Sequence, residues 1–329
     1  MAGLAAACSL VDQGATPIIL EPTPFPSHKI CGEFFSPECL PQLAKWGITF
    51  DHKIDNALFC SQNTSLRFSF SKPAGTMSHL AFDQKLLAYA QNKGASLIPE
   101  KVVAVGPNGV QTEKRVIPYS QLFIAAGRLP FFRSKYKPIY LGAKAYFSGL
   151  KLKAPLMMFS FPGCYVGITE VEKGVYNVAL LSNQKELPTL DQLCSKDEGF
   201  KKVFEKGHML FPSWMVAKIP PFGIRKTPPL PNTFFIGDAL SAIPPASGAG
   251  LSLSLASGMM AADFALRNDP EGFKKEWRRH HSKRIATAKL LHHCLLRPAL
   301  FKIYCKTQMF FPTLNEKLFR LTREPFFYA

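Results

Sequence analysis

Residues 233–258 read TFFIGDALSAIPPASGAGLSLSLASG, and the order of residue types in this stretch decides the fold. Thr233 to Ile236 is a short apolar run of strand character that stops at Gly237-Asp238. A proline-rich turn through Pro244-Pro245 follows, and Gly248-Ala249-Gly250 opens a small-residue helix that the pattern carries to about Leu266. An aspartate at a strand end can accept hydrogen bonds from the hydroxyls of a polyol. Bare backbone N–H groups at a glycine-rich helix start stabilise an anionic ligand edge. The 24 residues from Ala239 to Ala262 carry no charge, yet their prolines, serines and glycines argue against a membrane-spanning helix.

The N-terminal end carries a complementary piece. Residues 2–13 (AGLAAACSLVDQ) are small and helix-forming and end at Gly14, while Thr16 to Leu20 (TPIIL) suits a buried parallel strand closed by Glu21. Helix, turn, strand and terminal acid make up the second half of a dinucleotide-binding βαβ unit, in which the acid binds the adenosine ribose. The chain opens on what would be the third glycine of G-x-G-x-x-G, Gly3. Two expectations follow: Met1 is internal to a longer reading frame, or the unit is a truncated one whose sheet loses ladder pairing on two sides.

The spacing G-D-x(6)-P-x-x-G-x-G-L, formed here by Gly237, Asp238, Pro245, Gly248, Gly250 and Leu251, resembles the second FAD-binding motif of the flavoprotein hydroxylase superfamily. That group includes para-hydroxybenzoate hydroxylase, flavin halogenases and geranylgeranyl reductases. Lys29-Ile30-Cys31-Gly32-Glu33, followed by Phe35-Ser36-Pro37, resembles the K-x-C-G-(x)n-S-P segment of the geranylgeranyl-reductase-like members. Ser36 and Pro37 also read on their own as the N-cap and first position of a helix ending at Gly47. Residues 77–94 resemble the R-x-x-F/L-D-x-x-L segment, with His79 in place of the usual Arg. Leu122 to Gly127 (LFIAAG) resembles the strand and A-x-G turn that approach the pyrophosphate.

The resemblance implies an α/β fold with FAD as cofactor and NAD(P)H as a transient electron donor. It makes Gly3, Glu21, Lys29, Gly32, Gly127, Gly237, Asp238, Pro245, Gly248, Gly250 and Leu251 the cofactor-binding residues. Cys31 becomes the candidate catalytic residue beside the flavin ring, a buried structural cysteine being the other reading of that position. The implied domains are an N-terminally truncated FAD/NAD(P)-binding Rossmann-like domain (1–139 with 213–266), an antiparallel substrate-side sheet (140–212) and a basic helical C-terminal region (267–329). In the middle segment KAYF, MMFSF, CYVGI and VYNVALL are strand-like, and 161–167 with Asn177-Val178 resemble the G-G-Y-x-G and N-V pieces of that sheet. Ser241 stands where many hydroxylases have His, and Trp46, Trp214 and Trp277 form no halogenase-type motif. These departures, with the K-x-C-G segment, tilt the expected chemistry toward a reductase-like or atypical monooxygenase-like reaction, and the charge asymmetry of the C-terminal region suits an apolar, isoprenoid or lipid-like substrate. A degenerate flavoprotein without FAD, acting as a binding or scaffolding protein, is the alternative that the incomplete glycine fingerprint favours.

Composition bounds these readings. At 329 residues the chain suits roughly two domains. Its 47% hydrophobic content and 28 Phe exclude a disordered or fibrous protein. The net charge is +17, and residues 267–329, with 14 basic against 5 acidic residues, hold +9 of it. Phe273, Trp277, Leu290, Leu291, Cys294 and Leu295 form the expected apolar stripe of this region. Lys274, Lys275, Arg278, Arg279, Lys283 and Arg284 form a basic opposite face, with His281 and His292 on a solvated side. Leu318 to Arg323 resembles the terminal L-x-R-L-T-R of some bacterial relatives. Such a region is suited to peripheral contact with an anionic membrane, or simply to a soluble basic exterior. No nucleic-acid motif is present, so nucleic acid is not the expected partner. The eight cysteines form no C-x-x-C pair, and MAGLAAAC has no basic n-region, which point to reduced thiols in a cytoplasmic protein.

Overall fold

The computed structural model describes residues 1–106, 109–127, 139–310 and 321–323. Its strands divide between one broad sheet and several small ones. The broad sheet has nine strands, in the order His208–Met209, Tyr140–Ser148, Val175–Ser182, Cys164–Glu172, Leu156–Phe161, His52–Ser61, Thr64–Thr76, Phe34–Phe35, with Met215–Ile219 also on Tyr140–Ser148. All its pairings are antiparallel except that of Leu156–Phe161 with His52–Ser61. The four runs expected between 140 and 212 all lie in it, joined by strands from 34–76 and 215–219. Two of its hairpin turns fall at glycines, Gly163 and Gly174, while the turn between His52–Ser61 and Thr64–Thr76 takes Gln62 at φ +51°. Gly163, at φ +75°, closes the turn that pairs Phe161 with Cys164, the left-handed conformation that a side chain would strain.

The parallel component is split. Ile18–Leu20 pairs with Ser96–Ile98, and Leu122–Ile124 pairs with Thr233–Phe235, each as a separate two-stranded ladder. The expected buried strand at 16–20 is therefore parallel but not fully buried. Ile18 is 53% exposed, because no described strand covers its second edge. The helix Ala2–Asp12 packs on the helix Gly250–Ala265, and a Cβ on Gly258 would collide with the backbone of Ala2 and Ala6. Small residues on both helices permit this approach, so the alanine run at the start of the chain is a packing feature.

The C-terminal region folds as two helices, Pro270–Leu295 and Pro298–Phe310, and corrects three expectations. Phe273 and Trp277 are buried as expected, but Leu290 is 58% exposed and lies off the stripe. The inner face continues instead through His281, Arg284, Ile285, Ala288, His292 and Leu295. Arg284 thus belongs inside, not on the basic outer face, and neither His281 nor His292 is solvated. His281 lies 3.9 Å from the Trp277 ring, centroid to centroid, and His292 Nδ1 is 3.3 Å from the Tyr165 hydroxyl. Trp277 Nε1 donates to Ser241 Oγ at 3.1 Å, so the serine that replaces the expected histidine anchors this helix. Of the terminal 318–323 motif, 318–320 lie outside the described residues.

The buried histidines make stability acid-sensitive. Burial, helped by Arg284 and His280, depresses His281 from 6.5 to about 3; burial, helped by His293, depresses His292 to about 4. Below about 6.5 the unfolded chain takes up protons that the native state refuses until pH reaches those values, so stability is present at pH 7 and lost as pH falls through that window. Each pH unit inside it costs up to about 1.4 kcal/mol per histidine. A urea midpoint that drops between pH 7 and pH 5, and drops less in the His281→Gln/His292→Gln variant, is the expected result.

Candidate functional site

The strand Thr233–Phe235 delivers Gly237 and Asp238 to the floor of a large cavity. Gly237 takes φ +60°, its N–H donates to Ser257 Oγ at 2.8 Å, and an added Cβ would lie 2.9 Å from the Ala2 Cβ. Asp238 is half-buried and its carbonyl accepts from Arg225 Nε at 2.6 Å. The chain then turns through Pro245–Ser247 into Gly248, at φ +63°, whose N–H donates to the Pro245 carbonyl at 2.8 Å. Gly250 begins the helix, and a Cβ there would meet nothing nearer than Ile243 at 4.0 Å. The start of this helix therefore lines the cavity through Gly248, Gly250 and Leu251, with no side chain at the two glycines.

Opposite stands the 29–33 turn. Cys31 Sγ accepts from the Glu33 N–H at 3.3 Å, and its carbonyl accepts from Asn177 Nδ2 at 2.8 Å. A Cβ on Gly32 would meet nothing within 4 Å. Glu33 holds the turn in a left-handed conformation, φ +56°, by a buried carboxylate that accepts from the His79 N–H at 2.6 Å, the Tyr146 hydroxyl at 2.8 Å and Lys144 Nζ. Lys144 and Tyr146 sit two apart on one strand face, and Glu33 and Lys144 are fully buried. Burial, with the Glu33 carboxylate, pushes the Tyr146 phenol far above its ordinary range. Sequence reasoning gave Glu33 and Lys144 no role. The available signal was a lysine inside the apolar run at 144–147.

The remaining predicted residues complete the wall. Gly3 is the second residue of the first helix, where a Cβ would be 3.0 Å from that of Ala125, and Gly127 follows that segment at φ +63°. Glu21 ends its strand, with Oε1 accepting from the Thr23 hydroxyl at 2.7 Å and the Thr23 N–H at 3.2 Å. Together with Lys29, Pro245 and Leu251, all twelve residues singled out in the sequence line one cavity of about 1520 Å³. His79 lines it too, with Nδ1 3.0 Å from Asp83 Oδ2. The cavity runs on between the hairpin 52–76 and the C-terminal helices, where Phe59, Leu66, Phe68, Phe70, Phe301 and Tyr304 make an apolar wall. Among the described residues no group of three His, Cys, Asp or Glu could hold a metal ion.

No family model matches the sequence, and no curated protein sequence matches it significantly. Solved structures do match. The flavin-dependent brominase Bmp2 is similar at a TM-score of 0.79 and 15% identity, covering 98% of this chain and 90% of the brominase. A flavoprotein/dehydrogenase from Cytophaga hutchinsonii matches at 0.73 and 17% identity, over 98% of this chain and 88% of that one. PqsL of Pseudomonas aeruginosa, a probable FAD-dependent monooxygenase, matches at 0.70 and 13% identity, over 92% and 95%. The chain has the fold of these flavoproteins.

Proposed function

We propose that the protein is an FAD-dependent oxidoreductase of reductase or monooxygenase type, which draws electrons from NAD(P)H and acts on an apolar substrate. One observation carries the reading: residues chosen from four separate sequence motifs line a single cavity, and bare glycines front it where a flavin motif requires them. The fit is physical. At Gly32, Gly127 and Gly250 a Cβ would enter open space or touch only one atom at 4.0 Å, which leaves backbone free to approach a planar ring and a pyrophosphate. Asp238 would hold the ribityl hydroxyls, the Gly248–Gly250 turn the ring, and Glu21 the adenosine ribose.

A flavin supplies hydride transfer or oxygen activation when bound. This chain's residues do the rest. Glu33, pinned by Lys144 and Tyr146, fixes the Cys31-Gly32 turn. The Phe-rich wall excludes water and selects an isoprenoid-like or other apolar molecule. No helix among the described residues is long and apolar enough to cross a membrane. We extend the reading to peripheral delivery of substrate: Leu300 and Ile303 are exposed on the helix whose inner side lines the cavity, close in sequence to Arg297 and Lys306. Co-sedimentation with anionic vesicles at low salt checks that extension, and no pelleting there sinks it.

The visible spectrum after incubation with FAD and desalting tests the main reading. A retained flavin band is expected, and Asp238→Ala should weaken binding by roughly tenfold to a hundredfold, the effect of a hydrogen-bonding charge of about 1.5–3 kcal/mol. A colourless protein would favour the flavin-free binding protein, a reading that the split parallel sheet supports.

A further inference from the structure

A cluster of charge lies beneath the first turn of the Gly250–Ala265 helix, assembled from four distant parts of the chain. Arg284 Nη2 donates to Glu38 Oε1 at 3.0 Å and to Ser252 Oγ at 3.1 Å, and Ser252 Oγ donates to Glu38 Oε1 at 3.1 Å. Arg323 Nε stands 3.8 Å from Glu38 Oε2, and its Nη2 donates to the Ser247 carbonyl at 2.6 Å. The side chains of Arg284 and Arg323 are only 1% and 8% exposed. Arg323 lines the cavity, and its Nη2 would be 3.4 Å from a Cβ on Gly248.

Desolvating a guanidinium costs several kcal/mol. Two of them converging on one carboxylate at a ligand cavity therefore need a compensating role. The bond to Ser247 gives one part of it. Ser247 precedes the left-handed Gly248, so holding its carbonyl fixes the turn that leads into the start of the helix. The charge gives the other. Taking up two electrons and one proton, an oxidised flavin ring gains one negative charge, which a nearby fixed cation stabilises in a site shielded from water.

We propose that Arg323, seated on Glu38 beside Arg284, is a positioning residue for the cofactor, holding the Ser247–Gly248 turn and favouring the reduced, anionic flavin over the oxidised one. The inference rests on the FAD reading above. Its test is the midpoint potential of bound FAD, measured by reductive titration against a reference dye in the full chain.

Arg323→Gln should lower the potential by at least a tenfold change in relative affinity for the reduced form, about 30 mV for a two-electron couple. Arg323→Lys should restore most of it, and Glu38→Gln, which removes the neighbouring negative charge, should raise it. Loosened structure alone would move both neutral variants the same way. Equal potentials for wild type and Arg323→Gln, or shifts of the same sign for Arg323→Gln and Glu38→Gln, overturn the inference. Should Arg323→Gln not fold, the Glu38→Gln shift decides, with an upward shift supporting the inference and any other result overturning it. A wild-type chain that retains no FAD defeats the cofactor reading itself, and that result is seen before any variant is made.

Discussion

The Lys144→Met variant is expected to lose about 3–5 kcal/mol of stability, the usual penalty for stripping one partner from a buried ion pair. Glu33 and Lys144 are both fully buried, and among the described residues the carboxylate's other hydrogen-bond partners are the Tyr146 hydroxyl and the His79 N–H. Methionine keeps the volume but leaves that charge without its cation. Against a typical total of about 5–15 kcal/mol, this is roughly a fifth or more of the fold's margin. Removing both charges together, in Glu33→Gln/Lys144→Met, should recover most of the loss, since the desolvation penalty leaves with them. Urea unfolding of wild type, single and double variants gives the comparison. A single variant within 0.5 kcal/mol of wild type (roughly the scatter of ordinary surface substitutions) would refute the buried-pair account. Flavin retention adds a second readout, because Glu33 holds the Cys31-Gly32 turn at the cavity wall.

That pair also shows where sequence reasoning stops. The glycine turns, the strand runs and the residues fronting the cavity were legible because each is encoded locally, in spacing and residue type. Lys144 pairs with a residue 111 positions away, and Arg284 with Glu38 across 246. A pattern that assigns every charge to the outside cannot register a counter-charge so distant. It therefore placed Arg284 and two buried histidines on a solvated face. The exposure of Ile18 was hidden for the opposite reason. An apolar run announces a strand, but its burial depends on which neighbours the ladder supplies.

Gly258→Ala sets two local rules against each other, and the outcome follows from distances. In mid-helix, alanine ordinarily gains about 1 kcal/mol over glycine. Here its Cβ would meet the Ala2 carbonyl oxygen and sit 2.8 Å from the Ala6 nitrogen and 3.1 Å from the Ala5 Cβ. Two of these obstacles are backbone, which cannot rotate away, so relief requires moving the Ala2–Asp12 helix. Overpacking of this kind typically costs about 1–3 kcal/mol and sometimes more. The clash wins, and we expect net destabilisation despite the better propensity. The displacement should also reach the cavity. Ala2 lies against Gly237, and Gly3 lies against Ala125, so this helix is wedged between two segments that front the cavity. Flavin retention should thus fall further than in Phe200→Leu, a core truncation in the helix Glu198–Phe204 packed on the broad sheet, chosen for a comparable loss of stability. A Gly258→Ala protein that is more stable than wild type would disprove the close helix contact. One that is less stable yet keeps its flavin as well as Phe200→Leu would show that the first helix does not set the cofactor wall.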